Sequence, residues 1–157
     1  MGGGFHSFAG PLLQAIKEMR PDEMLEWGPG YSTELMLAHG AEASRLVSIE
    51  HDPRWVSEIR AKVGDREGWE LRQVPCTDRD CSYATLALDL GRQFDLIFID
   101  GRRRIECLLV ALQVIRSGGL ILLHDFCRLN YQRLVADLPH CELIRVISNT
   151  AVMRRRG

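Results

Sequence analysis

The chain has 157 residues, 46% hydrophobic and 26% charged, with a formal net charge of −1. That describes a single globular domain with a real core and no broad basic field to hold nucleic acid. No apolar run reaches membrane length, and no charged start leads into a long apolar stretch, so neither a membrane nor a nucleic acid is expected as a partner.

The five cysteines, Cys76, Cys81, Cys107, Cys127 and Cys141, are odd in number and include no C-x-x-C pair. They read as reduced thiols of a cytoplasmic protein rather than a disulfide framework or zinc set. Phe5, His6 and Phe8 open the chain as a candidate lid. A helix is predicted from Pro11 to Arg20, with Leu12, Leu13, Ile16 and Met19 on one face and Pro21 as its stop.

Met24-Leu25-Glu26-Trp27-Gly28-Pro29-Gly30-Tyr31-Ser32-Thr33 is the stretch around which the rest is organised. A short apolar run ends in an acid, followed by two spaced glycines and two hydroxyls that can start a helix. A buried parallel strand passes to a helix in this way around a nucleotide-like ligand. Gly28 can turn where a side chain would clash, and Gly30 lets backbone approach a ligand. Ser32 or Thr33 is placed to cap the following helix, Glu34 to His39, which Gly40 ends. A carboxylate at Glu26 would repel a pyrophosphate; it suits a cationic group such as the amino group of an amino acid.

A second strand, Arg45 to Glu50, leads into Glu50-His51-Asp52-Pro53 and a helix carrying Trp55, Val56, Ile59 and Val63. Glu50 stands about 20 residues past Gly28, where a carboxylate can accept both hydroxyl protons of a ribose. A third, partly polar strand, Glu70 to Val74, runs into a loop where Asp78 is a candidate for an adenine amino group. Tyr83 to Leu90 reads as a helix. The clearest strand follows: Phe94-Asp95-Leu96-Ile97-Phe98-Ile99-Asp100-Gly101, apolar between acids and so buried on both faces. Asp100 sits at its carboxyl end, where open α/β sheets bind ligands. Arg102-Arg103-Arg104 follows, read as a solvated loop or a contact for an anionic substrate.

An amphipathic helix is predicted over Ile105 to Arg116, with Ile105, Leu108, Leu109, Leu112 and Ile115 inward. Ser117-Gly118-Gly119 ends it. The strand Leu120 to Leu123 then brings His124-Asp125-Phe126 to the same edge. A last helix, Asn130 to Leu138, precedes strands Glu142 to Ile147 and Thr150 to Arg154, whose two-residue link Ser148-Asn149 implies an antiparallel hairpin.

These pieces resemble a class I S-adenosylmethionine-dependent methyltransferase. The resemblance rests on Glu26-x-Gly28-x-Gly30-x-Ser32, Ser48-Ile49-Glu50-His51-Asp52, Phe94 to Gly101, and Gly118-Gly119-Leu120-Ile121-Leu122-Leu123-His124-Asp125. It implies an α/β, Rossmann-like sheet of seven strands in the order 3-2-1-4-5-7-6. The sheet would be mostly parallel, with helices on both faces and a C-terminal antiparallel hairpin. One domain would cover residues 1–157, as an N-terminal segment and helix over 1–20 and a core over 21–157. For the cofactor, the resemblance implies that Glu26, Gly28 and Gly30, with Ser32 and Thr33, hold the methionine part. Glu50 would hold the ribose, His51 would flank the adenine, and Asp78 would contact its amino group. Ser32 stands where many members have a third glycine.

The wording around Asp100 and His124-Asp125 is similar to the small-molecule O-methyltransferase branch. In that branch acids at the ends of strands four and five hold a divalent metal, so Asp100 and Asp125 become candidate ligands for Mg²⁺. Phe126 departs from the acid or Asn often found beside the second of them. Asp100, His124 and Asp125 are the candidate catalytic residues for taking a proton from a hydroxyl or amine acceptor. His124 is singled out because an ordinary imidazole pKa, ~6.5, lies near working pH. The chain is short for the branch, which leaves the pocket open to a large substrate or closed by a partner subunit of a homo-oligomer. Two other classes share this pattern: an NAD-type dinucleotide-binding oxidoreductase, which Glu26 and the hairpin disfavour, and a non-catalytic binding module on the same fold.

Overall fold

A computed structural model describes residues 6–157; Phe5 and the four residues before it lie outside the described residues. The strands are β1 (Glu23–Trp27), β2 (Arg45–Glu50), β3 (Trp69–Gln73), β4 (Phe94–Ile99), β5 (Ile115–His124), β6 (Cys141–Ile147) and β7 (Thr150–Arg155). They form one sheet in the order β3-β2-β1-β4-β5-β7-β6. The first five are parallel where they pair, and β7 runs antiparallel between β5 and β6. This is the seven-stranded, mostly parallel Rossmann-like architecture that the motifs imply.

The helices are α1 (Ala9–Met19), α2 (Tyr31–His39), α3 (Pro53–Val63), α4 (Ser82–Asp89), α5 (Arg104–Val114) and α6 (Leu129–Asp137). The strand period of two sorts the core. Leu25, Trp27, Ile97, Ile99, Ile121 and Leu123 face one way and meet Tyr83, Leu108 and Val135 from α4, α5 and α6. Met24, Leu96, Phe98, Leu120 and Leu122 face the other way and meet Leu12, Ile16, Leu35 and Met36 from α1 and α2. Burying each such large side chain contributes about 1.5–3 kcal/mol, so the two faces together hold β1 and β4 at the centre of the sheet.

Element ends shift from the sequence pattern for identifiable reasons. β5 starts at Ile115, not Leu120, because Ile115 pairs with Phe94 and Arg116 reaches Asp95 at 2.6 Å. The ladder then breaks its register around Gly118, at φ +80°, and resumes with Leu120 opposite Leu96. The inward face of α5 is Cys107, Leu108, Ala111 and Val114, and Leu109 is exposed. The hairpin turn has Ser148 and Asn149 at φ +47° and +64°, the paired left-handed geometry that suits twisted antiparallel strands.

Two glycines fix the top of the sheet. Gly28 has φ +87°, and a Cβ there would lie 2.7 Å from the Gly101 backbone. A Cβ on Gly101 would collide with the Tyr83 hydroxyl and press on Gly28. The ends of β1 and β4 therefore touch through bare backbone. Gly101→Ala is expected to destabilise the fold by about 1–3 kcal/mol through overpacking. Gly10→Ala, in the first turn of α1 with open space around it, is expected to stabilise by about 0.5–1 kcal/mol. Urea unfolding midpoints of the two variants check this, and equal shifts would refute the contact.

Candidate functional site

A cavity of about 890 Å³ opens above the carboxyl ends of the parallel strands. Its size falls within the usual range for small-molecule pockets, ~300–1,000 Å³. It lies between β2 on one side and β4 on the other, the switch point of a doubly wound sheet. Gly28, Pro29, Gly30, Tyr31 and Ser32 form its floor. Glu50, His51 and Trp55 form one wall, and Asp100, Gly101 and the Arg102-Arg103-Arg104 run the other. His6, Phe8, Arg128 and Tyr131 stand at the rim. Gly30 is extended, with φ 176°, and a Cβ there would meet only the Trp55 ring, at 3.8 Å. Its bareness keeps cavity space open; it relieves no strain.

Glu26 does not line this cavity. Its carboxylate is fully buried beneath the loop. It accepts hydrogen bonds from the Ser32 hydroxyl at 2.7 Å, the Thr33 hydroxyl at 2.6 Å and the Ser48 hydroxyl at 2.6 Å. Two of those hydroxyls accept in turn: Thr33 from the Gly30 amide at 3.0 Å, and Ser48 from the Trp69 indole at 2.9 Å. The direct contact with a ligand amino group expected from sequence is thus replaced by a support for the loop. Thr33 belongs to the same support and is also off the cavity wall, while Ser32 reaches both. Gly30, rather than Ser32 or Thr33, takes the cap position of α2.

Glu50 stands at the end of β2, on the cavity wall. Its Oε1 accepts the amides of His51 at 2.7 Å and Asp52 at 2.9 Å. His51 Nδ1 lies 2.6 Å from the same oxygen, without hydrogen-bond alignment. Among the described residues Oε2 has no hydrogen-bond partner, and the side chain lies on the cavity wall. His51 stands edge-on to the Tyr83 ring, centroids 5.8 Å apart. Asp78 is exposed in the loop after β3 and does not reach the cavity.

At the far wall Asp100, His124 and Asp125 converge, each offering an atom within 4.8 Å of the others. Only Asp100 lines the cavity. His124 Nδ1 lies 3.0 Å from the Thr150 hydroxyl, its Nε2 3.6 Å from Asp125, and Phe8 covers its ring edge-on at 5.4 Å. His124, expected as the base, therefore lies behind the cavity wall, and Asp100 lies on it. Burial raises the pKa of Asp100 above the ordinary carboxylate value, with the neighbouring Asp125 charge adding to the rise; Arg104, His124 and His6 oppose it.

Sequence reasoning missed four residues. Trp55 reads as helix core, yet it lines the cavity and donates to the Pro29 carbonyl at 2.6 Å. Tyr31 stacks on His6, centroids 4.7 Å apart. Tyr83 closes the base behind Gly101. Arg104, read as part of a solvated run, joins Asp100 and Asp125 at 2.9 Å each. An Asp followed four residues later by Arg at a helix start was the available signal for the last. His6 and Phe8 of the same chain stand at the rim.

Burial raises the Glu26 pKa, and the three donating hydroxyls oppose the rise. A folded-state pKa above the unfolded value means that the folded protein binds the proton more tightly. Stability from this group is then present at low pH and is lost as pH rises through the folded pKa. Glu26→Gln is expected to flatten that decline between the ordinary carboxylate range and neutrality, read as the melting temperature across a pH series. A variant whose decline parallels the parent's would remove Glu26 from the linkage.

Among the described residues no helix is long and apolar enough to cross a membrane. No curated protein matches the chain. Solved structures do. Rv0187 from MTB, cofactor-bound, aligns at 18% identity and TM-score 0.81, over 99% of this chain and 82% of its own. The O-methyltransferase from Bacillus cereus in complex with SAH aligns at 19% identity and TM-score 0.75, over 98% and 82%. The O-methyltransferase TomG from Streptomyces achromogenes in complex with SAM aligns at 16% identity and TM-score 0.74, over 95% and 79%. At such identities the likeness speaks for the fold. The methyltransferase-domain family matches residues 25–126, from β1 through the end of β5. Sheet order and family match together establish that the chain belongs to that methyltransferase family, with the class I S-adenosylmethionine-dependent fold.

Proposed function

We propose that this protein transfers the methyl group of S-adenosylmethionine to a hydroxyl or amine of a small-molecule acceptor. The observation that carries the reading is Glu50: a buried carboxylate at the end of β2 with one oxygen pinned by two backbone amides and the other free on the cavity wall. Such an oxygen can accept ribose hydroxyls, and the Gly28–Gly30 loop beside it leaves room for the amino-acid end. Trp55 and His51 offer flat surfaces for the adenine. The TomG and Bacillus cereus structures, in complex with SAM and SAH, support the same choice. Five unpaired cysteines fit the cytoplasmic setting proposed for it.

When bound, S-adenosylmethionine supplies an electrophilic methyl carbon on a sulfonium, so the protein's share is position and proton removal. In this reading Asp100 is the catalytic base. It lines the cavity, and its raised pKa makes it a better proton acceptor than a solvated aspartate. Asp100 would accept the proton that the acceptor hydroxyl or amine gives up on methylation. The roles of Gly28, Gly30, Ser32 and His51 in holding the cofactor stand as part of the proposal. Asp78 is too remote from the cavity wall to be included.

The divalent metal of the O-methyltransferase branch fits these residues poorly. Asp100, His124 and Asp125 would supply donors, but the place between the two carboxylates is taken by Arg104. No step here is routed through a metal.

Calorimetry with S-adenosylhomocysteine is expected to show one site per chain. Glu50→Gln should weaken it about 10–100-fold, from loss of charge-assisted hydrogen bonds worth about 1.5–3 kcal/mol. Binding of NAD in preference would replace this reading with the dinucleotide one. Asp100→Asn should keep cofactor affinity and lower methyl transfer to a panel of phenols, catechols and amines by about 10²-fold or more. An Asn variant with parental turnover would remove Asp100 as the base.

A further inference from the structure

We infer that Arg104 is a resident cation: its guanidinium takes the place that a divalent ion would occupy between Asp100 and Asp125, so this cluster takes up no metal. A guanidinium has five N–H groups and no other way to bond. Four of them are hydrogen-bonded. Nε donates to the Gly101 carbonyl at 2.9 Å. Nη1 donates to the His124 carbonyl at 3.0 Å and to Asp125 Oδ2 at 2.9 Å. Nη2 donates to the Asp100 carbonyl at 3.1 Å and lies 2.9 Å from Asp100 Oδ1.

Three of the four hydrogen-bond acceptors are backbone carbonyls at the ends of β4 and β5. The guanidinium is therefore tied to the sheet edge itself and is not free to swing aside. A divalent ion entering between the carboxylates would have to break these contacts and leave the carbonyls to water. The local charge is also already balanced. Arg128 Nη2 stands 3.7 Å from Asp125 Oδ2, so two carboxylates face two guanidinium groups. An added Mg²⁺ would bring two further positive charges into a half-buried cluster, where like charges repel more strongly than in water.

Arg104 stands on the cavity wall, but its hydrogen bonds go to the strand ends and to Asp125. It acts through its partners, as a positioning residue. It pairs with Asp100 by one oxygen and leaves the other without a hydrogen-bond partner among the described residues, and it bonds the Asp125 carboxylate. The inference rests on the methyltransferase reading for its meaning, but its test does not.

Mn²⁺ is the probe, titrated by electron paramagnetic resonance, with S-adenosylhomocysteine calorimetry and circular dichroism on the same samples. The parent should bind no Mn²⁺ at this cluster up to millimolar concentration. Arg104→Ala, which frees Asp100, His124 and Asp125 as three donors, should bind one Mn²⁺ per chain at least tenfold more tightly. Arg104→Lys, which restores a cation, should return toward the parent. Should the alanine variant not fold, Arg104→Gln removes the charge while keeping some of the hydrogen bonds. One tightly bound Mn²⁺ in the parent, lost in Asp100→Asn, would overturn the inference. So would a folded charge-removing variant that gains no Mn²⁺ affinity. Failure of the parent to bind S-adenosylhomocysteine would count against the cofactor reading alone.

Discussion

A carboxylate with no cation beside it, fully buried and satisfied by three hydroxyls, is the joint on which the site depends. Glu26 closes β1, Ser32 and Thr33 open α2, and Ser48 lies on β2; through the Trp69 indole the same network reaches β3. One side chain thus ties β1, α2 and β2 together directly, and β3 through Ser48. A buried charge of this kind is costly unless its oxygens are filled, and here each oxygen takes a hydroxyl. The consequence is a loop whose backbone amides and bare glycines are held in place before any ligand arrives. Preorganisation of that sort lowers the ordering cost of binding.

The two walls of the cavity then divide the chemistry. The β2 wall has a carboxylate half-used by backbone and half open, with flat rings nearby. The β4 wall has a carboxylate held by a guanidinium, also with one oxygen to spare. The same device serves both ends: one oxygen is committed to the protein so that the other is aimed. On the β2 side the clamp is two peptide amides. On the β4 side it is Arg104, itself tied to strand-end carbonyls. Gly28 against Gly101 brings the two walls together, because no side chain intervenes between the ends of β1 and β4.

Much of this was legible in the residues, and the limits have physical causes. The central strands announce themselves because a strand buried on both faces must be apolar at every position, as in Phe94 to Ile99. The hairpin was readable from Ser148-Asn149, since two residues can reverse a chain only antiparallel. The strand order came from the family resemblance, because periodicity says nothing about which strand neighbours which. What stayed hidden depends on contacts far apart in sequence. Glu26 was read as a ligand contact because its sequence neighbours do not reveal that Ser48 fills its inner oxygen. The start of β5 was misplaced because Arg116 is drawn into the strand by Asp95, 21 positions earlier. Trp55 and Arg104 have ordinary local readings, and only the fold brings them to the cavity.

The cluster at the ends of β4 and β5 shows how far one position can move a site within a shared fold. Two acids and a histidine converging at a sheet edge form a reasonable nest for a hard cation. Adding an arginine one helical turn after the first acid changes the physics. The cation is now covalently part of the chain, its geometry is planar and four of its donors are bonded to partners at fixed distances. It holds no exchangeable waters and leaves no coordination position for an acceptor oxygen. An acceptor in this cavity would then be oriented by shape and by Asp100. The exposed Arg102 on the same wall, which makes no ion pair among the described residues, adds an unspent positive charge at the mouth.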